Sequence, residues 1–338
     1  LADVHDVALY DLDGVLYLGP DGIPHAAASV QAARERGLRA AFVTNNASRA
    51  PRAVAQHLTE LGVPASVDDV VTSGQAAARL VAERVRAGSA VLVLGTEALA
   101  DQVRERGLRP VRTLEQAGPD GPAAVLQGIA PETGWRDLAE ACLALRAGAL
   151  WVAGNLDATL PTSRGQLPGN GAMVAALRTA TGLAPLVAGK PEPALHAEAV
   201  ARTGAVRPLV VGDRLDTDVL GAVTAGAPSL LVLTGVVDVP GLLAAPSGSR
   251  PTYVAEDLRA LLHPQPEVAL DGAVARCGPA TARREDDRLV VELADDDVPG
   301  RTAALRAVCA LVWRDVDGGS TVPEVEGLRL GATAGRGA

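Results

Sequence analysis

A doubly wound, mostly parallel α/β sheet interrupted by a second α/β module is the architecture this sequence predicts. Three observations carry it. Short apolar runs of strand length alternate with helical stretches from the start of the chain to about residue 262. Glycines close the first helical stretches, at Gly37 and Gly62. Carboxylates or small polar residues stand where apolar runs end, at Asp11, Thr44 and Asp213, the strand ends at which open α/β sheets place ligands.

In chain order, Val4 to Leu9 reads as a buried strand delivering Asp11-Leu12-Asp13-Gly14. A helix follows from Ala26 to Arg36, then a strand from Arg39 to Val43, a helix from Pro51 to Leu61, a strand from Val67 to Thr72 and a helix from Gln75 to about Arg86. Residues 88–181 read as an insert, with strands at 90–94, 123–127 and 150–152 and helices at 96–106 and 133–146. The first pattern then resumes with strands at 185–188, 208–211, 228–232 and 252–255 and helices at 193–202, 217–225 and 256–262. The expected domains are therefore a core of 1–87 and 182–262, an inserted cap of 88–181, and a small C-terminal α+β domain of 267–335 beyond the His263-Pro264-Gln265-Pro266 linker. That last part has a strand at 289–293, a helix at 301–313 and a strand at 328–330. With 13 acidic and 9 basic residues after residue 263, it reads as a solvated appendage.

Composition narrows the function. Of 338 residues, 48% are hydrophobic and 21% charged, which excludes general disorder. A net charge of −9 argues against a diffuse nucleic-acid or anionic-membrane surface. No apolar run reaches membrane-spanning length, and the first residues carry neither the cationic flank nor the apolar stretch of a secretory signal. Cys142, Cys277 and Cys309 are too scattered for a disulfide framework, so a reducing cytoplasm is expected. The five histidines share no metal-binding spacing. Trp135 and Trp151 read as core aromatics of the insert, or as lining for it. Lys190 is the one lysine among 31 basic residues, which asks what an arginine could not do there.

Asp11 and Asp13, two apart on a strand end, can face one crevice while Leu12 packs inward; a simple Asp-Gly turn is the competing reading. Asp213, Asp216 and Asp218 cluster after another strand. So many acids at two strand ends would repel without a cation, and Mg²⁺ accepts carboxylates and waters beside phosphate. Asp216 fits a helix start equally well and is left out of the expected site. Thr44, Asn45 and Asn46 offer a hydroxyl and N–H groups for phosphate oxygens, with a cap or Asx turn as the alternative for Asn46 and Ser48. Lys190, between Gly189 and Pro191, can reach a crevice as a compact charge.

Taken together these segments resemble the haloacid dehalogenase-like phosphatases, in the branch of NagD-type, phosphoglycolate and pyridoxal phosphatases with a large α/β cap. The four motifs stand in order as Asp11-Leu12-Asp13-Gly14-Val15, Thr44-Asn45-Asn46, Gly189-Lys190-Pro191 and Gly212-Asp213-Arg214-Leu215-Asp216-Thr217-Asp218. The resemblance runs from about residue 5 to 262. It implies a Rossmann-like core and an aspartyl-phosphate mechanism in which Asp11 is the nucleophile and Asp13 the general acid and base. It implies Mg²⁺ held by Asp11, the backbone carbonyl of Asp13 and Asp213, with Asp218 supporting the metal or Lys190. Thr44, Asn45, Asn46 and Lys190 would take the phosphoryl oxygens. In the cap, Asn155 and Asp157 match a TNxD stretch whose threonine is here Gly154, and Gly128-Ile129-Ala130 lacks the usual aromatic and acid.

The wording is most similar to actinobacterial members that act on glycerol 3-phosphate and carry an extra C-terminal segment, reminiscent of a truncated acetyltransferase. The expected activity is Mg²⁺-dependent hydrolysis of glycerol 3-phosphate, with phosphoglycolate, 4-nitrophenyl phosphate or a nucleotide as alternative substrates and a homodimer formed through the cap. A dehalogenase would need neither Asp13 nor a phosphate cage. A dinucleotide-binding protein would need a GxGxxG that the first strand-to-helix turn lacks. A binding or scaffold role is the leading expectation for residues 267–335.

Overall fold

The computed structural model describes the chain apart from Ser163, Asp287, Arg329 and residues 331–338. The chain forms two compact units, one of Leu1–Ala41, Glu60–Val63 and Gly204–Ala338, the other of Phe42–Thr59 and Pro64–Thr203.

In the first unit, the strands Tyr253–Ala255, Ser229–Val232, Pro208–Gly212 and Val7–Tyr10 lie side by side in that order, all parallel, followed by the start of Arg39–Thr44. From Val7–Tyr10 the chain winds one way through Arg39–Thr44 and later the other way through the three remaining strands. The order therefore reverses between Val7–Tyr10 and Pro208–Gly212, which is where open sheets leave a crevice at their carboxyl ends. Val7, Ala8, Leu9 and Tyr10 are all buried, as a strand covered on both faces requires.

Residues 267–326 form the expected C-terminal α+β appendage, but one face of it is buried rather than solvated. Five strands, Val268–Asp271, Val274–Cys277, Ala280–Glu285, Arg288–Leu293 and Glu324–Glu326, form a sheet under the 20-residue helix Val298–Asp317. The charged residues occupy one face: Arg276, Arg283 and Glu292 point out, while Ala275, Cys277, Ala282, Leu289 and Val291 are buried. That buried face and the helix share one apolar cluster with Leu231 and Val254 of the parallel sheet and with Val219 and Leu242 from the turns that follow its strands. The strand expected at 328–330 includes Arg329, which lies outside the described residues; the strand found is Glu324–Glu326. Asp297 caps the helix by accepting from the Gly300 N–H at 2.8 Å, which starts it three residues before the expected Arg301.

In the second unit, the remainder of Arg39–Thr44 pairs with Val70–Thr72. A separate five-stranded parallel sheet runs Leu186–Val187, Leu150–Ala153, Ala124–Gln127, Ala90–Leu94 and Arg109–Val111. Leu186–Val187, read from the sequence as a core strand, is thus an edge of this sheet. Two residues of ladder are too short for sequence order alone to assign. The helices Trp135–Arg146 and Asn170–Thr181 cover one apolar cluster of the sheet. Trp151 is buried there with its indole N–H on Gln127 Oε1 at 3.1 Å, whereas Trp135 stands exposed. On the helix Ser73–Ala82, Thr72 and Gln75 form a reciprocal cap, and the buried Glu198 carboxylate receives Arg79 and Arg106 at 3.1 and 2.7 Å.

His5 precedes the first strand with its ring edge-on to Tyr253, and burial lowers its pKa below the ordinary 6.5. The folded state therefore favours the neutral ring. Its contribution to stability is complete above the unfolded pKa and is lost as the pH falls below about 6.5 towards the lower folded value. Thermal melts from pH 7.5 to 5 should show this chain losing stability faster than His5→Phe, whose ring cannot take a proton. Parallel profiles would exclude His5 as a titrating contributor.

Candidate active site

Asp11 and Asp213 leave the carboxyl ends of the two neighbouring strands at the reversal point, and the Asp11 N–H donates to Val211 O at 2.8 Å. Asp218 joins them from a π-helical turn, Leu215–Val219, whose extra residue per turn brings it back over the strand end. One carboxylate oxygen from each of Asp11, Asp213 and Asp218 lies within 4.8 Å of the other two. Asp213 and Asp218 are each 1% exposed and Asp11 is half-buried. Three carboxylates so close in a low-dielectric setting repel strongly unless a cation shares them. The all-oxygen donor set, with no histidine or cysteine, fits Mg²⁺ or Ca²⁺ rather than zinc.

The backbone is built to let these acids approach. A side chain at Gly14, where φ is +80°, would meet Asp213 Oδ2 at 2.3 Å, and one at Gly235 would meet the same atom at 2.0 Å. Asp213 Oδ2 accepts the Val236 N–H at 2.6 Å, and the Thr234 hydroxyl donates to Gly14 O at 2.6 Å. The sequence reading missed this Thr234-Gly235-Val236 loop. Its only signal is a Thr-Gly pair at the end of an apolar strand. Asp13 is exposed next to buried Leu12, and its side chain is outside the acid cluster. Asp216 is turned away in an ion pair with Arg214 at 2.7 Å, which holds its carboxyl below the usual carboxylate range.

The second unit gathers the other expected residues around Asn45. Its Oδ1 accepts the Lys190 N–H at 2.7 Å and its Nδ2 donates to Lys190 O at 3.2 Å, so the side chain clamps the lysine's backbone at both ends. Asn45 O accepts from Ser73 Oγ at 2.5 Å and from Asn155 Nδ2 at 2.7 Å. Lys190 is 5% exposed, and Thr44 and Asn155 are buried as well. Asn155 Oδ1 accepts the Asp157 N–H at 3.2 Å, placing Asp157 half-buried in the next turn. Asn46 uses its Oδ1 on the Ser48 N–H and hydroxyl, at 2.8 and 2.7 Å, which is the Asx turn offered above as its alternative role. Thr44 Oγ1 accepts the Asn46 N–H at 3.1 Å. A side chain at Gly154 would meet Ala47 Cβ at 2.9 Å, so this chain has little room for the threonine common at that position.

A reversal-point crevice holding three carboxylates for a hard divalent cation defines an α/β enzyme of the metal-assisted kind. Comparison with known proteins makes this specific. A haloacid dehalogenase-like hydrolase model matches residues 8–109, and a second model of the same hydrolase group matches 187–261. The chain belongs to the haloacid dehalogenase-like hydrolases and is a phosphatase of that superfamily. It is 52% identical over 324 residues to D-glycerol 3-phosphate phosphatase of Mycobacterium tuberculosis, covering 93% of this chain and 87% of that protein. It is 37% identical over 230 residues to a 5′-nucleotidase of Bacillus subtilis, covering 68% of this chain and 87% of the relative. The crystal structure of the Mycobacterium tuberculosis glycerol phosphate phosphatase in complex with magnesium superposes with a TM-score of 0.79 at 47% identity, over 96% of this chain and 94% of that one. Among the described residues, no helix is long and apolar enough to cross a membrane.

Proposed function

We propose that this phosphatase hydrolyses glycerol 3-phosphate to glycerol and inorganic phosphate with Mg²⁺. The clustering of Asp11, Asp213 and Asp218 at the sheet's reversal point carries the metal-dependent part of this reading. The relative at 52% identity supports the substrate. So does the pairing of Gly154 against Ala47 with the plain Gly128-Ile129-Ala130 turn, since a small, uncharged leaving group needs no aromatic or basic pocket.

Asp11 attacks phosphorus in line; an O–P bond forms to its carboxylate as the ester O–P bond breaks. Asp13, as the general acid, gives a proton to the departing glycerol alkoxide. It then takes a proton from the water that attacks the aspartyl-phosphate, which releases phosphate and restores Asp11. Asp11, Asp213 and Asp218, with the Asp13 carbonyl, would hold Mg²⁺, whose positive charge would offset carboxylate and phosphate. Thr44, Asn45, Asn46 and Lys190 take the phosphoryl oxygens, while Asn155 and Asp157 belong to the cap that selects the leaving group.

In this reading 1–87 with 182–262, apart from the edge strand Leu186–Val187, is the catalytic core, 88–181 with that strand the cap, and 267–335 a domain without catalytic residues. Cytoplasmic residence and a homodimer paired through the cap complete it. Purified protein with Mg²⁺ should be given glycerol 3-phosphate, phosphoglycolate, 4-nitrophenyl phosphate, pyridoxal 5′-phosphate and UMP. Glycerol 3-phosphate should show the highest kcat/KM. Another ester preferred tenfold, about 1.4 kcal/mol of transition-state discrimination, would overturn the substrate, and UMP is the competitor that the nucleotidase relative favours.

A further inference from the structure

We infer that Arg301, on the C-terminal helix, is a positioning residue for the catalytic metal site. This rests on the reading that Asp11, Asp213 and Asp218 hold the cation. Arg301 is the fourth residue of Val298–Asp317. A cation so near a helix N-terminus meets the positive end of the helix dipole, so the position must be compensated. Compensation comes from two carboxylates. Arg301 Nε donates to Glu256 Oε1 at 2.8 Å, and Nη1 donates to Asp296 Oδ1 at 3.1 Å. Asp296 is local and exposed, but Glu256 is 2% exposed and follows the strand Tyr253–Ala255 of the parallel sheet.

Glu256 anchors the start of the loop that touches Asp213. The Leu233 N–H is shared between Ala255 O at 3.1 Å and Glu256 O at 3.2 Å. Directly after Leu233 come Thr234, bonded to Gly14 O, and Val236, whose N–H lies 2.6 Å from Asp213 Oδ2. The far end of the loop is held by the same helix. Val237 and Val239 pack on the apolar cluster that includes Leu305, Val308 and Val312, and the Trp313 indole donates to Leu242 O at 3.1 Å. The C-terminal helix thus grips both ends of residues 233–242, and the middle of that segment fixes one oxygen of a metal ligand. Removing the Arg301–Glu256 bond loosens the nearer end. Asp213 then enters the metal site less ordered, and metal binding must restore the order.

The test uses the full chain, with Mg²⁺ binding by calorimetry and melting temperatures measured in EDTA. Arg301→Gln combined with Glu256→Gln keeps a polar pair and leaves no buried charge behind. It should weaken Mg²⁺ affinity about tenfold, the lower end of what outer partners of metal ligands contribute. Saturating Mg²⁺ should restore kcat. Arg301→Lys keeps charge but cannot fork between Glu256 and Asp296, and should lose about threefold in Mg²⁺ affinity. Asp317→Asn, which breaks the bond from Arg250 to the other end of the helix, should leave Mg²⁺ affinity unchanged. Unchanged Mg²⁺ affinity in Arg301→Lys, or in the double variant where it melts cooperatively, overturns the inference and makes the contact purely structural. An unaltered chain that binds no Mg²⁺ would instead overturn the metal reading itself, and this inference with it.

Discussion

Asp11→Asn should abolish phosphate release, by at least about 10⁴-fold, while the protein stays folded. The amide is nearly the shape of the carboxylate and keeps one oxygen towards Asp213 and Asp218, but it is no anionic nucleophile. The backbone at residue 11 is held independently by Val211 O, so the strand end does not depend on the side chain. The electrostatics make a second, opposite prediction. One negative charge is removed from three oxygens that lie within 4.8 Å of one another. In EDTA the variant should therefore melt no lower than the unaltered protein. In excess Mg²⁺ its melting temperature should rise less, because the cation gains less from two carboxylates than from three. Phosphate release and paired melts with and without Mg²⁺ check both halves. Substantial turnover by a folded Asp11→Asn protein would reject the covalent mechanism.

The parts of this protein that could be read from its sequence are those in which chemistry and periodicity coincide. Val7–Tyr10 ends abruptly at Asp11, and Pro208–Gly212 at Asp213, so two apolar runs deliver two acids to one crevice. The Thr234-Gly235-Val236 loop was invisible because it contributes mainly a backbone N–H and an absent side chain, neither of which has a residue signature. Leu186–Val187 was placed in the wrong sheet because a two-residue run carries no partner information. The C-terminal sheet was hidden by its small residues. Ala275, Ala280 and Ala282 are buried beneath the helix, but beside Arg276, Arg283 and Arg284 they read as polar surface. There the sheet's polar outer face set the composition, and its inner face set the fold.

Lys190 offers the sharpest test of the phosphate-binding half of the reading. Its backbone is clamped by the Asn45 carboxamide and the residue is 5% exposed, so the turn that carries it is held by the backbone. Lys190→Met keeps most of the stem and should fold, since the Asn45 carboxamide holds the turn through its backbone. If the ammonium offsets the dianionic phosphoryl group, Met should cost at least ~100-fold in turnover, the scale of losing an electrostatic transition-state contact. The loss should appear in kcat as well as KM, because charge redistributes over the phosphoryl oxygens during transfer. Lys190→Arg should also lose turnover clearly. A planar five-donor fork needs more width than a compact ammonium, and a side chain at Gly189 would already meet Gly154 O at 2.6 Å and Asn45 Oδ1 at 2.7 Å, which shows how little space surrounds the turn. Lys190 also supplies the only side-chain amine in the sequence. Amine-directed inactivation should therefore be slowed by inorganic phosphate and be absent from Lys190→Met. Full activity in Lys190→Met would remove the lysine from the mechanism and leave the phosphoryl oxygens to the hydroxyl, amide and metal alone.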